Sequence, residues 1–111
     1  MPVPMYQAKA EFFRTLGHPV RIRVLELLQR GPLPVRDLLV ELDIEASNLS
    51  QQLAVLRRAG IVNATRDGAT VVYALSTPDV AELMVAARRI LADLLAGQGE
   101  LLAELRGETP G

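Results

Sequence analysis

Apolar residues recur at helical spacing along most of this chain, with one β-branched interruption before its last third. From about Met5 to Leu16, the residues Tyr6, Ala10, Phe13 and Leu16 follow that spacing, and Gly17 ends the run. His18 and Pro19 have the form of a helix cap and first position, since proline is pre-set in φ and has no amide hydrogen to leave unpaired. A second helix is predicted over Val20 to Gln29, with Ile22, Leu25 and Leu28 on its inner side. Gly31, Pro32 and Pro34 make a turn, Val35 to Leu42 a short helix, and Asp43 to Ala46 another turn. In the helix that follows, about Ser47–Arg58, the leucines at 49, 53 and 56 stand at i, i+4 and i+7 and face inward together; Gly60 stops it.

Ile61 to Arg66 and Ala69 to Leu75 are rich in β-branched residues, and Asp67-Gly68 between them favours a tight turn with positive φ. These two strands are expected to form a hairpin. Ser76 and Thr77 ahead of Pro78 then start a last helix, with an apolar stripe of Val80, Leu83, Met84, Ala87, Ile90, Leu91, Leu94 and Leu95. Gly97 and Gly99 are expected to fray or bend it, at about 1 kcal/mol each relative to alanine, before Leu101, Leu102 and Leu105 resume the pattern. The predicted fold is mainly α with a small β-hairpin, in the order α-α-α-α-β-β-α: a winged helix-turn-helix. It fills one domain, residues 1–111, with the wing at about 61–75.

The outer side of the 47–58 helix carries the chemistry. Ser47, Asn48, Ser50, Gln51 and Gln52 are short hydrogen-bonding side chains suited to base edges in a major groove. Glutamine and asparagine fit adenine, and serine is less selective. Arg57 and Arg58 in the last turn suit both the helix dipole and nearby phosphates, Arg57 being the one placed to turn inward. Arg66, beside the hairpin turn, is a candidate for DNA backbone or minor groove. For Arg21 and Arg23 two uses stay open: phosphate contact, or pairing with Glu26 or Glu11.

Composition narrows the setting. Hydrophobic residues make up 50% of the chain but aromatic ones only 4%, so the core must be aliphatic. No apolar run approaches the roughly 18 residues that span a bilayer, and the opening residues do not read as a secretory signal. The expected location is the cytoplasm, with no membrane partner. The absence of cysteine removes disulfides, thiolate ligands and thiol switches together. Net charge is −1, unevenly spread: residues 1–75 hold nine basic and seven acidic side chains, residues 76–111 three and six. The reading half is thus mildly basic, which supports DNA contact only weakly because phosphate binding depends on a local patch. With one histidine, in a capping context, and no glycine-rich phosphate loop, no catalytic constellation is present and the chain reads as a non-enzyme with no cofactor.

The runs LGHPVRIRVLELL (16–28), LPVRDLLVEL (33–42), SNLSQQLAVLRRAGIV (47–62) and RDGATVVYAL (66–75) resemble the ArsR/SmtB family of bacterial repressors. The resemblance extends from about residue 8 to 95. It implies a homodimeric winged helix that sits on operator DNA and leaves when an inducer, often a metal ion, binds. Where many members have a cysteine pair, this chain has Pro34 and Arg36; where others have Asp, His, His and Glu along the last helix, it has Asp79, Ala81, Ala92 and Leu95. Soft or borderline metals want thiolate and imidazole. The family's metal sites are therefore not expected here.

The resulting reading is a DNA-binding transcriptional regulator, a homodimeric repressor with no metal site. Its dimer seam is expected from Tyr6 and Phe13 of the first helix (about 5–16) with Val80, Leu83, Ala87, Ile90, Leu91 and Leu94 of the last (about 78–105). Its partners would be double-stranded operator DNA and a second copy of itself. Two alternatives stay open: a winged-helix regulator responding to an unidentified small-molecule effector, with an organic ligand held between the first and last helices, and a winged-helix module that pairs with protein and has given up DNA.

Overall fold

The computed structural model describes residues 2–107, which form two compact units, one ending at Ala81 and one beginning at Glu82. The elements are α1 (Met5–Leu16), α2 (Pro19–Leu28), β1 (Leu33–Pro34), α3 (Val35–Leu42), α4 (Ala46–Arg58), β2 (Val62–Asp67), β3 (Thr70–Leu75) and α5 (Pro78–Leu105). The winged-helix order is the one expected, with a two-residue strand added between α2 and α3.

Each helix boundary has a local cause. His18 caps α2 as the sequence suggested: its Nδ1 accepts the Val20 N–H at 3.2 Å, and Pro19 takes the first helical position. Asp43 ends α3 in the left-handed region (φ 52), with its N–H returning to the Leu39 carbonyl at 2.9 Å. The end of α4 is a full Schellman motif around Gly60 (φ 76). There the Gly60 N–H reaches the Arg57 carbonyl and the Ile61 N–H the Leu56 carbonyl, both at 3.0 Å. Thr77 Oγ1 accepts the Asp79 N–H at 3.3 Å at the head of α5.

The sheet is antiparallel in the order β1-β3-β2. Leu33 and Pro34 face Tyr73 and Val72, so the proline lies on an edge strand, where its missing N–H leaves no gap in the ladder. In the hairpin, Val62 pairs with Leu75 and Asp67 with Thr70. The loop is therefore Gly68-Ala69 and not Asp67-Gly68, one residue later than predicted. Gly68 has φ 64, and Ala69 is not among the positive-φ residues. A single positive φ at the first loop position is the type II′ pattern, which asks for glycine there and tolerates alanine next.

The core of the first unit is aliphatic: Leu16, Val24, Leu25, Leu27, Leu28, Leu38, Leu49, Leu53, Leu56, Ile61, Val62 and Val80 are buried, with no buried polar or charged residue among those described. Leu49, Leu53 and Leu56 face inward as their spacing required. On α2 the inner side is broader than expected: Val24, Leu25, Leu27 and Leu28 are buried, whereas Ile22 is only half-buried because it falls outside their arc. On α1 only Leu16 is buried; Tyr6, Ala10 and Phe13 are exposed.

Two expectations about α5 need correction. It does not fray at Gly97 and Gly99 but continues to Leu105, because favourable neighbours in sequence outweigh the cost of two glycines. Val80, assigned to a dimer seam, is instead buried in the chain's own fold at 6% exposure, because it lies in the first turn of α5 next to the hairpin's end. Leu83 and Ala87 are half-buried, and Ile90, Leu91, Leu94 and Leu95 are exposed.

Candidate nucleic-acid interface

The polar face of α4 follows from where its leucines point. With Leu49, Leu53 and Leu56 buried and about 100° of turn per residue, Ser47, Gln51 and Arg58 lie on the outermost line. Ser50 and Arg57 fall on one flank, Asn48 and Gln52 on the other. Exposure agrees: Ser47, Ser50, Gln51, Arg57 and Arg58 are exposed, and Asn48 and Gln52 are half-buried. Arg57, which the sequence left able to turn inward, points to solvent.

Two arginines extend this face. Arg58 donates from Nε to the Ala54 carbonyl one turn back at 3.3 Å, which steadies its stem along the helix. Arg66 is exposed on β2, opposite Val71 and next to the turn. Among the described residues, neither Arg57, Arg58 nor Arg66 makes an ion pair. Their charge stays available for phosphate. The Schellman motif sets where the wing starts: Ile61 is buried, and its carbonyl accepts both the N–H and the Oγ–H of Ser76 at 2.9 Å. The hairpin is thereby tied at its base to the end of α4.

Arg21 and Arg23, whose use the sequence left open, part ways. Arg23 makes a loose contact with Glu26 at 3.7 Å, and Glu11 is taken by Arg14 at 2.8 Å. Among the described residues Arg21 pairs with no carboxylate. It donates from Nη1 to the Thr15 carbonyl at 2.6 Å and from Nε to Gln52 Oε1 at 3.0 Å. Nothing local distinguished the two arginines, because the deciding partner lies on α4.

A model of the bacterial regulatory proteins of the arsR family matches residues 18–64, from the α2 cap into β2. The uncharacterized HTH-type transcriptional regulator Rv0081 of Mycobacterium tuberculosis is 52% identical over 104 residues, which are 93% of this chain and 91% of the relative. This chain belongs to the arsR family. The crystal structure of Rv0081 superposes with a TM-score of 0.80, covering 87% of this chain and 98% of that one. The biofilm growth-associated repressor of Agrobacterium fabrum is 37% identical over 90 residues, 78% of this chain and 77% of the relative. As an arsR-family winged helix, the chain is a DNA-binding transcriptional regulator.

The metal sites of the family do not fit the donor set of this member. Pro34 and Arg36 offer no thiolate, and Ala81, Ala92 and Leu95 offer no ligand atom beside the carboxylate of Asp79. Among the described residues, no group of three or more His, Cys, Asp or Glu side chains is placed to hold a metal ion. Nor is any helix among them long and apolar enough to cross a membrane.

Proposed function

We propose that this arsR-family protein is a homodimeric repressor that reads operator DNA with α4 and the β2–β3 wing and does not respond to metal through the family's usual ligand positions. The observation that carries the reading is the outward face of α4. Hydrogen-bonding side chains without apolar interruption cover the end nearest its N-terminus, unpaired arginines the other, and the wing places Arg66 beyond. Ser47, Ser50 and Gln51 address base edges directly, with Asn48 and Gln52 on the flank; Arg57, Arg58 and Arg66 address phosphate.

Dimerisation is supported by the exposed apolar side chains of two helices, each taken on its own. Tyr6 and Phe13 are exposed on α1 at 71% and 56%. Ile90, Leu91 and Leu94 are exposed on α5 at 59%, 56% and 57%, in line with the half-buried Leu83 and Ala87. Large apolar groups in such number on one chain ask for a cover. A second copy is the simplest one, since two reading heads then meet two half-sites. The repressor sense is supported by the relative named as a biofilm growth-associated repressor. Domain use follows: residues 1–111 act as one DNA-binding domain, with the wing at about 61–75 and α1 and α5 given to assembly.

An electrophoretic shift with a duplex from the chain's own upstream promoter, repeated over a range of salt, tests the reading. A sequence-specific complex that weakens with salt is expected. Equal binding to promoter and unrelated duplex, or none to either, would overturn it.

A further inference from the structure

A chain of half-buried side chains links the start of α2 to the reading helix. Arg21 is held at its Nη1 by the Thr15 carbonyl, an open acceptor in the last turn of α1, and its Nε donates to Gln52 Oε1. Gln52 passes the contact on. Its Nε2 donates to Oδ1 of Asn48, one turn earlier on α4, at 3.0 Å.

The direction of this chain is forced. A guanidinium has donors only, so Gln52 must turn its carbonyl toward Arg21. Its amide nitrogen is then the end that meets Asn48, and Asn48 must answer with its own carbonyl. Reversing either amide would set donor against donor. Arg21 thus fixes the orientation of two side chains on a helix from which it is 31 residues removed at its point of contact.

That orientation changes what the two amides can read. Adenine presents an acceptor, N7, beside a donor, N6–H, so an amide reads it bidentately only with both its carbonyl and its NH₂ free. Guanine presents two acceptors, N7 and O6. Each carbonyl spends an acceptor site inside the protein, so the groups of Asn48 and Gln52 left wholly free are N–H donors. Gln51, on the outermost line and with no side-chain partner among the described residues, keeps both functions.

We propose that Arg21 is a specificity-determining positioning residue: by polarising the Gln52–Asn48 pair it makes one flank of α4 a donor-biased surface that selects guanine over adenine. The assignment rests on α4 being the DNA reader, and it departs from the expectation that glutamine and asparagine on this helix fit adenine.

The test is selection of the full-length protein on a randomised duplex library, followed by sequencing, for the parent and for Asn48→Ala, Gln51→Ala, Arg21→Met and Gln52→Met. The half-site position flattened by Asn48→Ala is expected to be guanine in the parent. Arg21→Met keeps the aliphatic stem but frees the Gln52 carbonyl and lets the Gln52–Asn48 pair reverse, so it should shift that position toward adenine by roughly tenfold, the scale of one good base contact. The position governed by Gln51 should not change. Gln52→Met removes the middle link and leaves the Arg21–Thr15 bond alone, so it should give the same shift even where Arg21→Met fails to fold by circular dichroism. A general loss of stability would weaken all sequences alike and leave the base preference where it was. Adenine at the Asn48 position in the parent, or unchanged guanine in the folded variants, overturns the proposal. A parent that enriches no sequence sinks the DNA-reading assignment itself.

Discussion

Ile61 donates its backbone N–H to the carbonyl of Leu56 at 3.0 Å, so the last turn of α4 and the residue leading into the wing are joined by a single backbone bond. The geometry is possible because Gly60 between them has φ 76. A methyl group there would meet no atom within 4 Å, so the whole cost of a side chain is conformational. Gly60→Ala is therefore expected to lose roughly 1–2 kcal/mol of stability, and Gly60→Asn less, because asparagine tolerates the left-handed region better. Urea denaturation of the three proteins checks the order Gly, Asn, Ala. An alanine variant as stable as the parent would show that this cap does not hold the wing.

The base-reading and phosphate contacts should separate by their salt behaviour. Gln51→Ala removes an exposed amide on the outermost line of α4 and is expected to weaken operator binding by about 1–3 kcal/mol while leaving unrelated DNA untouched. Arg66→Ala removes a wing charge and should weaken all duplexes alike, flattening the salt dependence by about one unit of slope. Titrations of promoter and unrelated duplex at several salt concentrations measure both. A Gln51 variant that binds its operator like the parent would remove this residue from the reading role.

Several elements behind these predictions were legible without coordinates, and the reason is local. Val35–Leu42 has the boundaries its residues implied, and the leucines of α4 are buried in the arc their spacing dictates. His18 and Pro19 carry their capping chemistry within three residues. What was missed depends on partners far along the chain. Leu33 and Pro34 read as a turn because strand character comes to them from Tyr73 and Val72. The hairpin loop moved by one residue because Asp67 pairs with Thr70, which places Gly68, and not Asp67, at the strained position. Val80 looks like any member of an apolar stripe, and only its burial separates it from Leu91. The polar face of α4 was readable; its division into a free line and a flank held by Arg21 was not.

Metal should leave this protein indifferent. Zinc, cadmium, nickel and arsenite are expected to bind weakly and to leave the DNA complex intact, because Pro34, Arg36, Ala81, Ala92 and Leu95 cannot supply thiolate, imidazole or carboxylate. The lone histidine already accepts the Val20 N–H at its Nδ1. Calorimetry with each ion, and gel shifts in its presence, provide the check. Stoichiometric binding at micromolar metal, abolished by Asp79→Ala or His18→Ala, would mean that another ligand set exists.

Assembly gives the sharpest contrast within one helix. A single reading head covers too few base pairs to find an operator among roughly 10⁶ or more competing sites. A two-fold dimer doubles the contact and places half-sites about 34–36 Å apart. On α5, Leu91 is 56% exposed and Val80 6%. A glutamate at Leu91 stands in water in the free chain and costs little there, but it would be buried and unpaired in a self-complementary apolar seam. Leu91→Glu is thus expected to give a folded monomer that no longer protects a palindromic site. Val80→Glu buries its charge inside the chain's own core and should unfold it, with a loss of several kcal/mol. Sedimentation and circular dichroism on both variants distinguish the two outcomes. A parent that sediments as a folded monomer at micromolar concentration, or a Leu91→Glu variant that remains dimeric, would take the seam away from α5.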